Sequence, residues 1–407
     1  MRILSGMGKI LLLSGITAVV LVTSAWFFFF RGVPAENPMQ PSGGFGTGAS
    51  QAVEVTPPAQ NNEVQTTNSS LPVQQIVFRV VNGPIVGATV VQYTQPTTTV
   101  ARYVQQNNGH VFDLVLDSSG AVPKAISNTT IPGISRALWT RQGQGVILQY
   151  LDRNVVKTVS LSFPQQATTS QAVNIKFLPD GISDIAVSPN GANVVYLLRT
   201  ETGTRGYLAG ADGAGSRELF TLPLREVVVS WPSQATVLTH TKSAAGVPGV
   251  AFSINTSSGA AVPLLHATGL SIAADPSYSY LMYQTNDGNS PSTRVRTIST
   301  GQSSGLSFDP YPERCVWGSA ATSILYCAAP LEYVAPNYLD LWHAGSASAA
   351  EALFSFTFPG GKSSILAAPG GSEGGVESTI DTLSVSPDGR YLLFVKRGER
   401  SLWGVRL

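Results

Sequence analysis

The chain has 407 residues and a formal net charge of +1 at neutral pH, and 12% of its residues are charged. This near-neutral balance excludes a globally basic nucleic-acid-binding protein, because such proteins carry a large excess of Lys and Arg. The charged share is low against the usual share of about a quarter. The surface is therefore expected to carry mainly hydroxyl and amide groups, with weak long-range electrostatic steering of partners.

The first predicted element is an apolar segment near the N-terminus. Ile10 to Phe30 is a run of 21 residues without a charge, and a helix rising about 1.5 Å per residue would span the roughly 30 Å core of a bilayer. The run ends in Trp26 to Phe30, which favours a retained anchor over a cleaved signal peptide. Because Arg2 and Lys9 precede the run, residues 1–9 are predicted to be cytoplasmic and the chain after the helix extracytoplasmic, at the cell membrane.

Residues 31–72 are predicted to form a disordered linker. The segment is rich in Pro, Gly, Gln, Asn, Ser and Thr, a composition that cannot bury enough apolar surface to offset the entropy of ordering. A flexible chain of about 41 residues has an end-to-end distance on the order of 35 Å. The sequence therefore predicts a folded domain, residues 73–407, that is tethered at a distance from the membrane.

A repeated unit of short strands explains most of this domain. One unit begins with the strand Ile182 to Val187 and turns at Ser188 to Gly191. It continues with strands at Asn193 to Leu198, Gly206 to Gly210 and Glu218 to Leu222. Strands of this length between Gly, Pro, Asn and Asp turns indicate a four-stranded antiparallel blade, and no amphipathic helix is evident. The domain is predicted to be all-β.

The first hairpin turn of this unit numbers the blades. It recurs at Trp139-Thr140, Ser188-Pro189, Trp231-Pro232, Asp275-Pro276, Trp317-Gly318 and Ser386-Pro387. The second residues of these turns are separated by 49, 43, 44, 42 and 69 positions, and a propeller blade has a period of about 40–50 residues. The long last interval indicates insertions in the sixth unit. With one more unit before Trp139 the prediction is a seven-bladed β-propeller, and a six-bladed ring with a separate N-terminal sheet is the alternative.

The last blade lacks one strand. Ser401 to Leu407 is predicted to be its third strand, and Gln75 to Val81 is a strand without a blade of its own. If the N-terminal strand supplies the missing outer strand, the two ends of the domain close the ring and leave no open edge.

Two stretches resemble known bacterial propellers. Ser386-Pro387-Asp388-Gly389, followed by Leu392 and Phe394 and then by Leu402-Trp403, resembles the repeat of the TolB-type propellers. The stretch from Arg102 to Phe112, with Ile126 to Gly133 after it, is similar to uncharacterised membrane-anchored propellers. The resemblance implies a propeller of WD40-like repeats in the cell envelope, and it carries no established activity.

Cys315 and Cys327 flank the hairpin turn of the sixth predicted blade. Folding about residue 321 places them opposite each other on neighbouring strands, and outside the cytoplasm a disulfide is expected. Two buried free thiols are the alternative. Two thiolates without further ligands nearby do not predict a zinc site.

The sequence predicts no catalytic group, metal or cofactor. The four histidines, His110, His240, His266 and His343, are expected to lie in four different blades, without the paired spacing of a metal site. Gly301 to Gly305 satisfies the G-x-S-x-G pattern, but it lies between two strands, whereas a nucleophile elbow needs a following helix. The oxygen-rich segment Asn286 to Asn289 lacks the acidic spacing of a calcium loop and is predicted to be a β-turn.

A binding face follows from the blade order. The loops that join second to third strands, and each blade to the next, lie on one face of a propeller. In the sixth unit this face is expected to receive Asp309 to Arg314, the insertion Ala328 to Leu339 and the Gly-rich segment Pro359 to Glu377. Aromatic and Arg residues on exposed loops carry much of the contact energy at interfaces. The predicted binding residues are Tyr311, Glu313, Arg314, Glu332, Tyr333 and Tyr338.

Packing of these rings between the insertion and the rim is the alternative to a binding role. The function predicted first is a non-enzymatic, membrane-tethered scaffold that binds a protein or a cell-envelope polymer. The second is an envelope enzyme acting on glycan or peptide, with Asp184 and Asp381 as candidate carboxylates in the central channel. A regulator of a membrane complex is the third.

Overall fold

The computed structural model describes residues 77–94, 97–118, 120–163, 173–319, 323–347, 349–368 and 379–407. The strands in these ranges form seven four-stranded antiparallel sheets. The fold is therefore the seven-bladed β-propeller that the repeat predicts, and the six-bladed alternative is wrong. The predicted membrane helix and the linker lie outside the described residues. Within the described part of the chain, no helix is long and apolar enough to cross a membrane.

Each blade runs from an inner strand at the central channel to an outer strand at the rim. Blade 1 consists of β2 (Ile85–Thr94), β3 (Thr97–Gln105), β4 (Val111–Val115) and β5 (Lys124–Ser127). Blade 2 consists of β6 (Ile134–Thr140), β7 (Gly145–Asp152), β8 (Val155–Ser162) and β9 (Asn174–Phe177). Blade 3 consists of β10 (Ile182–Val187), β11 (Asn193–Arg199), β12 (Thr204–Gly210) and β13 (Arg217–Leu222). Blade 4 consists of β14 (Val227–Ser233), β15 (Thr236–Thr241), β16 (Pro248–Asn255) and β17 (Ala261–Thr268).

The remaining blades complete the ring. Blade 5 consists of β18 (Ser271–Ala274), β19 (Tyr280–Asn286), β20 (Pro291–Thr297) and β21 (Ser303–Gly305). Blade 6 consists of β22 (Cys315–Trp317), β23 (Ile324–Pro330), β24 (Glu351–Thr357) and β25 (Lys362–Ala367). Blade 7 consists of β26 (Ile380–Val385), β27 (Tyr391–Lys396), β28 (Leu402–Arg406) and β1 (Val77–Val81). A short α-helix, α1 (Tyr338–His343), and 3-10 turns at Arg141–Gly143 and Pro312–Arg314 are also present.

The core lies between the blades. All six residues of β27 are buried, because this second strand is covered by the blades on both sides. All four residues of β9 are exposed, since an outer strand lies at the rim. Continuous apolar sequences therefore mark inner positions of a blade, and polar or alternating sequences mark outer positions.

The turn at Ser386 closes the first hairpin of blade 7 through side-chain hydrogen bonds. Ser386 Oγ accepts from the backbone N–H of Tyr391 at 2.9 Å and donates to Asp388 at 2.6 Å. Gly389 has a φ of +71°, which glycine adopts without steric cost. Ser188 makes the corresponding bonds in blade 3. The motif thus acts as a hairpin device.

The N-terminal strand closes the ring, as predicted. β1 pairs with β28 from Val77 opposite Val405 to Val81 opposite Leu402. The ring of Phe78 lies against Gly404, where a Cβ atom would approach Phe78 Cζ to 2.6 Å. The disulfide is also confirmed: Cys315 and Cys327 face each other on β22 and β23 and are bonded.

Candidate binding face

The insertion of blade 6 is a segment of 331–350 that joins β23 to β24 and contains α1. We call it the blade-6 insertion, and the face on which it lies the insertion face. Its predicted bounds, Ala328 to Leu339, are wrong at both ends, because β23 continues to Pro330 and α1 continues to His343. The prediction for Pro359 to Glu377 also needs correction. Lys362–Ala367 is the outer strand β25, hydrogen-bonded to β24, and residues 369–378 lie outside the described ranges.

The blade-6 insertion is fixed to neighbouring blades by polar contacts. Asn286 of blade 5 donates from Nδ2 to the carbonyl of Pro336 at 2.7 Å. The backbone N–H of Ala245, in a blade 4 loop, donates to the Asp340 carboxylate at 3.1 Å. These contacts hold the insertion across blades 4 and 5, so that its exposed side chains have a defined position.

The insertion is also held by two cation–π contacts, one from the connection before β22 and one from blade 7. The guanidinium of Arg314 lies 4.5 Å from the ring centre of Trp342, and that of Arg397 lies 4.8 Å from it. Arg397 belongs to the loop between β27 and β28. Contacts of this kind stabilise by about 0.5–2 kcal/mol, with the larger value for desolvated pairs.

A buried ion pair lies beneath the insertion. Arg314 Nη2 donates to Glu351 Oε2 at 2.5 Å, and the two side chains are 2% and 0% exposed. Glu351 also accepts hydrogen bonds from Tyr338 Oη at 2.9 Å and from the backbone N–H of Ile380 at 2.6 Å. The Glu351 carboxylate therefore links three elements: the connection between blades 5 and 6, which carries Arg314, the helix α1, and the first strand of blade 7.

Three predicted binding residues belong to this buried cluster. Tyr311, Arg314 and Tyr338 are only 2%, 3% and 3% exposed, so the expectation that they lie on exposed loops is wrong. The tyrosine rings pack at 5.7 Å between centres, and burial raises the pKa of Tyr311 to about 12. Their positions match the packing alternative: Arg314 and Tyr338 donate to the buried carboxylate of Glu351, and the ring of Tyr311 packs against that of Tyr338.

Glu313 pairs with a histidine of the insertion. His343 Nε2 lies 2.9 Å from Glu313 Oε2. Desolvation alone would raise the pKa of Glu313, but the hydrogen bond and charge of His343, with smaller effects of His240 and Ser271, lower it below its ordinary value. Burial lowers the pKa of His240, and Glu313 only partly opposes this effect.

The histidines are not distributed over four blades as predicted. His240 lies on β15 and His266 on β17, and both strands belong to blade 4. His110 hydrogen-bonds Thr130 at 3.2 Å. In the described residues no group of three or more His, Cys, Asp or Glu side chains could hold a metal ion.

The other predicted binding residues are exposed on the insertion. Tyr333 is 88% exposed, and Glu332 beside it is also exposed. Leu331 and Leu341 of the same segment are 48% and 37% exposed, and Val247 in the blade 4 loop is 52% exposed. We call these four apolar side chains, Leu331, Tyr333, Leu341 and Val247, the apolar patch. Whether the predicted residues bind a ligand stays a prediction.

Sequence reasoning missed the residues that fix the insertion. Glu351 and Arg397 lie at the start of β24 and directly after β27, and their sequence neighbours do not reveal their partners. Trp342 follows Tyr338 at helical spacing within the long sixth interval, and this was an available signal for an anchored helix. The partners themselves are distant in sequence, so only the fold brings them together.

The two candidate catalytic carboxylates are engaged with arginines. Asp184 pairs with Arg136 of blade 2 at 2.5 Å and accepts the backbone N–H of Val229 of blade 4 at 2.7 Å. Asp381 pairs with Arg400. Both carboxylates therefore have structural partners, and Asp184 links three neighbouring blades.

The remaining motifs have local structural roles. Asp287 Oδ1 accepts the backbone N–H of Asn289 at 2.9 Å and that of Ser290 at 3.3 Å. These bonds, that of Asn289 first, lower the pKa of Asp287 and form the predicted β-turn. Gly301 to Gly305 lies between β20 and the end of β21, as expected for a strand connection.

Comparison with known proteins identifies the fold alone. No protein-family profile matches the chain, and no curated protein matches its sequence. An oligogalacturonate lyase in complex with manganese is similar in structure, with a TM-score of 0.57, 12% identity and coverage of 81% of this chain and 93% of that one. The tricorn protease has a TM-score of 0.51 at 9% identity over 83% of this chain, which spans only 34% of that protein. Both are propeller-type structures, and the chain thus shares their architecture.

Proposed function

We propose that this chain is a membrane-tethered, TolB-type β-propeller of the cell envelope that binds a protein partner through its insertion face. The apolar segment Ile10 to Phe30 supports the tether, and the repeat at Ser386 to Gly389 supports the family. An envelope polymer is the other ligand class that the sequence predicts, and site-specific photo-crosslinking distinguishes the two.

The observation that carries the proposal is the apolar patch on a fixed support. Tyr333 is almost fully exposed, while the insertion that bears it is held by contacts to blades 4, 5 and 7. A side chain on a preorganised support loses less entropy on binding than one on a flexible loop. Exposed aromatic and aliphatic side chains suit the surface of a protein better than a hydrophilic polymer.

Site-specific photo-crosslinking in cells that make the protein natively tests this function. A photoreactive residue at position 333, and separately at 247, is expected to capture the same protein, since both positions belong to the apolar patch. The matched control is position 262 on β17, where Val262 is 59% exposed at the outer rim of blade 4. Equal capture from position 262, or capture of polymer without protein, would contradict the proposal.

A variant separates binding from folding. The double change Tyr333→Ala and Leu341→Ala removes exposed apolar surface and is expected to weaken binding of the captured protein by about tenfold or more, since each hot-spot side chain contributes over about 1 kcal/mol. Val262→Ala is the control and should leave binding unchanged. Tyr338 is unsuitable for this test because it is buried against Glu351.

A further inference from the structure

We propose that the opposite face of the ring, which carries the first hairpin turns and which we call the turn face, holds a separate site for one sugar residue. The site is a cleft of about 190 Å³ between blades 2 and 3. It is formed by the β6–β7 turn and the strand ends beside it, by the end of β8 with Phe163, by the start of β9 and by the β12–β13 turn. Its polar lining residues are Thr140, Arg141, Gln144, Ser162, Asn174 and Asp212.

The backbone of the β6–β7 turn is strained at the cleft. Arg141 and Gln142 have φ values of +47° and +55°, and Gly143 follows at +88°. In the corresponding turns of blades 3 and 7 the residue equivalent to Gly143 is also a left-handed glycine, Gly191 or Gly389, but the two residues before it do not have a positive φ. Non-glycine residues persist in this region only where the surroundings fix them, and such residues cluster at functional sites.

The surroundings do fix this turn. The carbonyl of Gly143 accepts a hydrogen bond from Arg102 Nη1 of blade 1 at 2.7 Å. On the other side, a Cβ atom at Gly191 of blade 3 would lie 2.0 Å from the backbone nitrogen of Arg141. The turn is therefore held between two blades, and this arrangement orients Arg141 at the edge of the cleft.

The two charged side chains that line the cleft, Arg141 and Asp212, can hydrogen-bond a ligand. Arg141 is exposed and makes no ion pair with any carboxylate in the described part of the chain. Asp212 is also exposed, and among the described residues its Oδ1 accepts only the backbone N–H of Ala214, at 3.1 Å. One guanidinium and one carboxylate balance in charge, so that the cleft does not select a charged ligand by its net potential.

The lining matches a neutral, hydroxyl-rich molecule. Amide, hydroxyl, guanidinium and carboxylate groups together offer donors and acceptors, and each sugar hydroxyl can both donate and accept. The aromatic ring in the lining, Phe163, is only 6% exposed, which leaves little apolar surface for a lipid or an apolar peptide. Drug-sized ligands occupy about 300–1,000 Å³, so the smaller cleft suits a single ring, either free or within a glycan.

Ligand-observed saturation-transfer NMR on the purified full chain tests the site. The probes are glucose and N-acetylglucosamine as neutral rings, glucuronate as an anionic ring and glycine as a zwitterion, each at millimolar concentration. At least one neutral ring is expected to bind. Binding of none of the probes, or of glucuronate or glycine alone, would overturn the proposal.

Two variants assign the binding to the named residues. Asp212→Asn and Arg141→Gly are each expected to weaken binding of the neutral ring by about tenfold, the loss of one charge-assisted hydrogen bond. Arg141→Gly also relieves the backbone strain, so its resistance to urea should be equal to or above that of the wild type. Undiminished binding by both variants would overturn the assignment.

A control on the other face keeps this site separate from the protein-binding function. Glu332→Gln changes an exposed residue of the blade-6 insertion and should leave sugar binding unchanged. Loss of sugar binding in this variant would place the ligand on the insertion face and reject the cleft. The double change at Tyr333 and Leu341 tests the other function, so each proposal can fail alone.

Discussion

Glu351 shows how one buried carboxylate organises a surface. Its side chain is fully buried and accepts from Arg314, Tyr338 and the backbone of Ile380. A buried ion pair contributes little net stability compared with an apolar pair, but loss of one partner leaves the other charge without compensation. The insertion therefore depends on this residue more than on any of its exposed side chains.

Replacement of this carboxylate gives the first prediction. Glu351→Gln is expected to lower the free energy of unfolding by about 3–5 kcal/mol, because Arg314 stays buried without a counter-charge. Urea denaturation followed by tryptophan fluorescence measures the change. The control is Glu218→Gln, which removes an exposed carboxylate 3.7 Å from Arg205 and should change stability by about 0.5 kcal/mol or less. Equal effects of the two variants would show that the buried pair has no special role.

The Glu313–His343 pair predicts a dependence of stability on pH. The pKa of Glu313 is lower in the folded chain than its ordinary value. A carboxylate shifted in this direction stabilises the fold at pH values above its unfolded pKa of about 4.3. That contribution is lost as the pH falls through the lower, folded pKa.

A comparison of variants across pH measures this contribution. The difference in unfolding free energy between the wild type and Glu313→Gln should be fully present above about pH 5 and should shrink below about pH 4. The same comparison in a His343→Gln background should show a weaker dependence, because the main favourable partner is absent. A difference that stays constant from about pH 6 to pH 3 would contradict the assigned role of the pair.

At the scale of elements, the disulfide fixes the short first strand of blade 6. β22 has only three residues, and Cys315 lies directly after the 3-10 turn that carries Glu313 and Arg314. The bridge to Cys327 on β23 therefore restrains the segment from which the buried ion pair starts.

Removal of the bridge should destabilise the domain moderately. Changing both cysteines to Ala opens a loop of sequence separation 12, for which chain entropy predicts a loss of about 2–3 kcal/mol. Urea denaturation with and without a reducing agent measures it. The reductant should lower the stability of the wild type by a similar amount and should not affect the double variant. A wild type insensitive to reductant would show that the bridge does not limit unfolding.

For the whole molecule, closure by β1 decides whether the ring is complete. β28 would otherwise present an unpaired edge, and such edges promote aggregation. A chain that starts at Asn82 lacks β1 and is expected to unfold at a lower urea concentration and to aggregate more readily. A synthetic peptide of residues 75–81 should restore part of the lost stability.

The matched control for closure uses the same peptide with Phe78 changed to Ala. The ring of Phe78 fills the space beside Gly404, so the altered peptide should restore less stability than the natural one. A shortened chain as stable as the wild type would contradict the role of β1 as the closing strand.

The sequence by itself determined the repeat, and it predicted seven blades, the closing strand and the disulfide, because each depends on local turn chemistry or on spacing along the chain. The structure then excluded the two alternatives, a six-bladed ring and two free thiols. The turn at Ser386 to Gly389 is made by hydrogen bonds within six residues, so its residues alone predict it. The spacing of these turns along the chain then assigned the strands to successive blades. Tyr333 was also predicted as exposed, since an insertion projects from the blade.

Only the tertiary structure decided which predicted binding residues are buried and what holds the insertion. Arg314 and Glu351 are separated by 37 positions, and Asp340 and Ala245 by 95. Whether an Arg or Tyr on a loop faces solvent or a buried carboxylate depends on which distant loops meet above the ring. Packing between blades decides which of these loops are in contact. The residue pattern within a single blade does not predict those contacts.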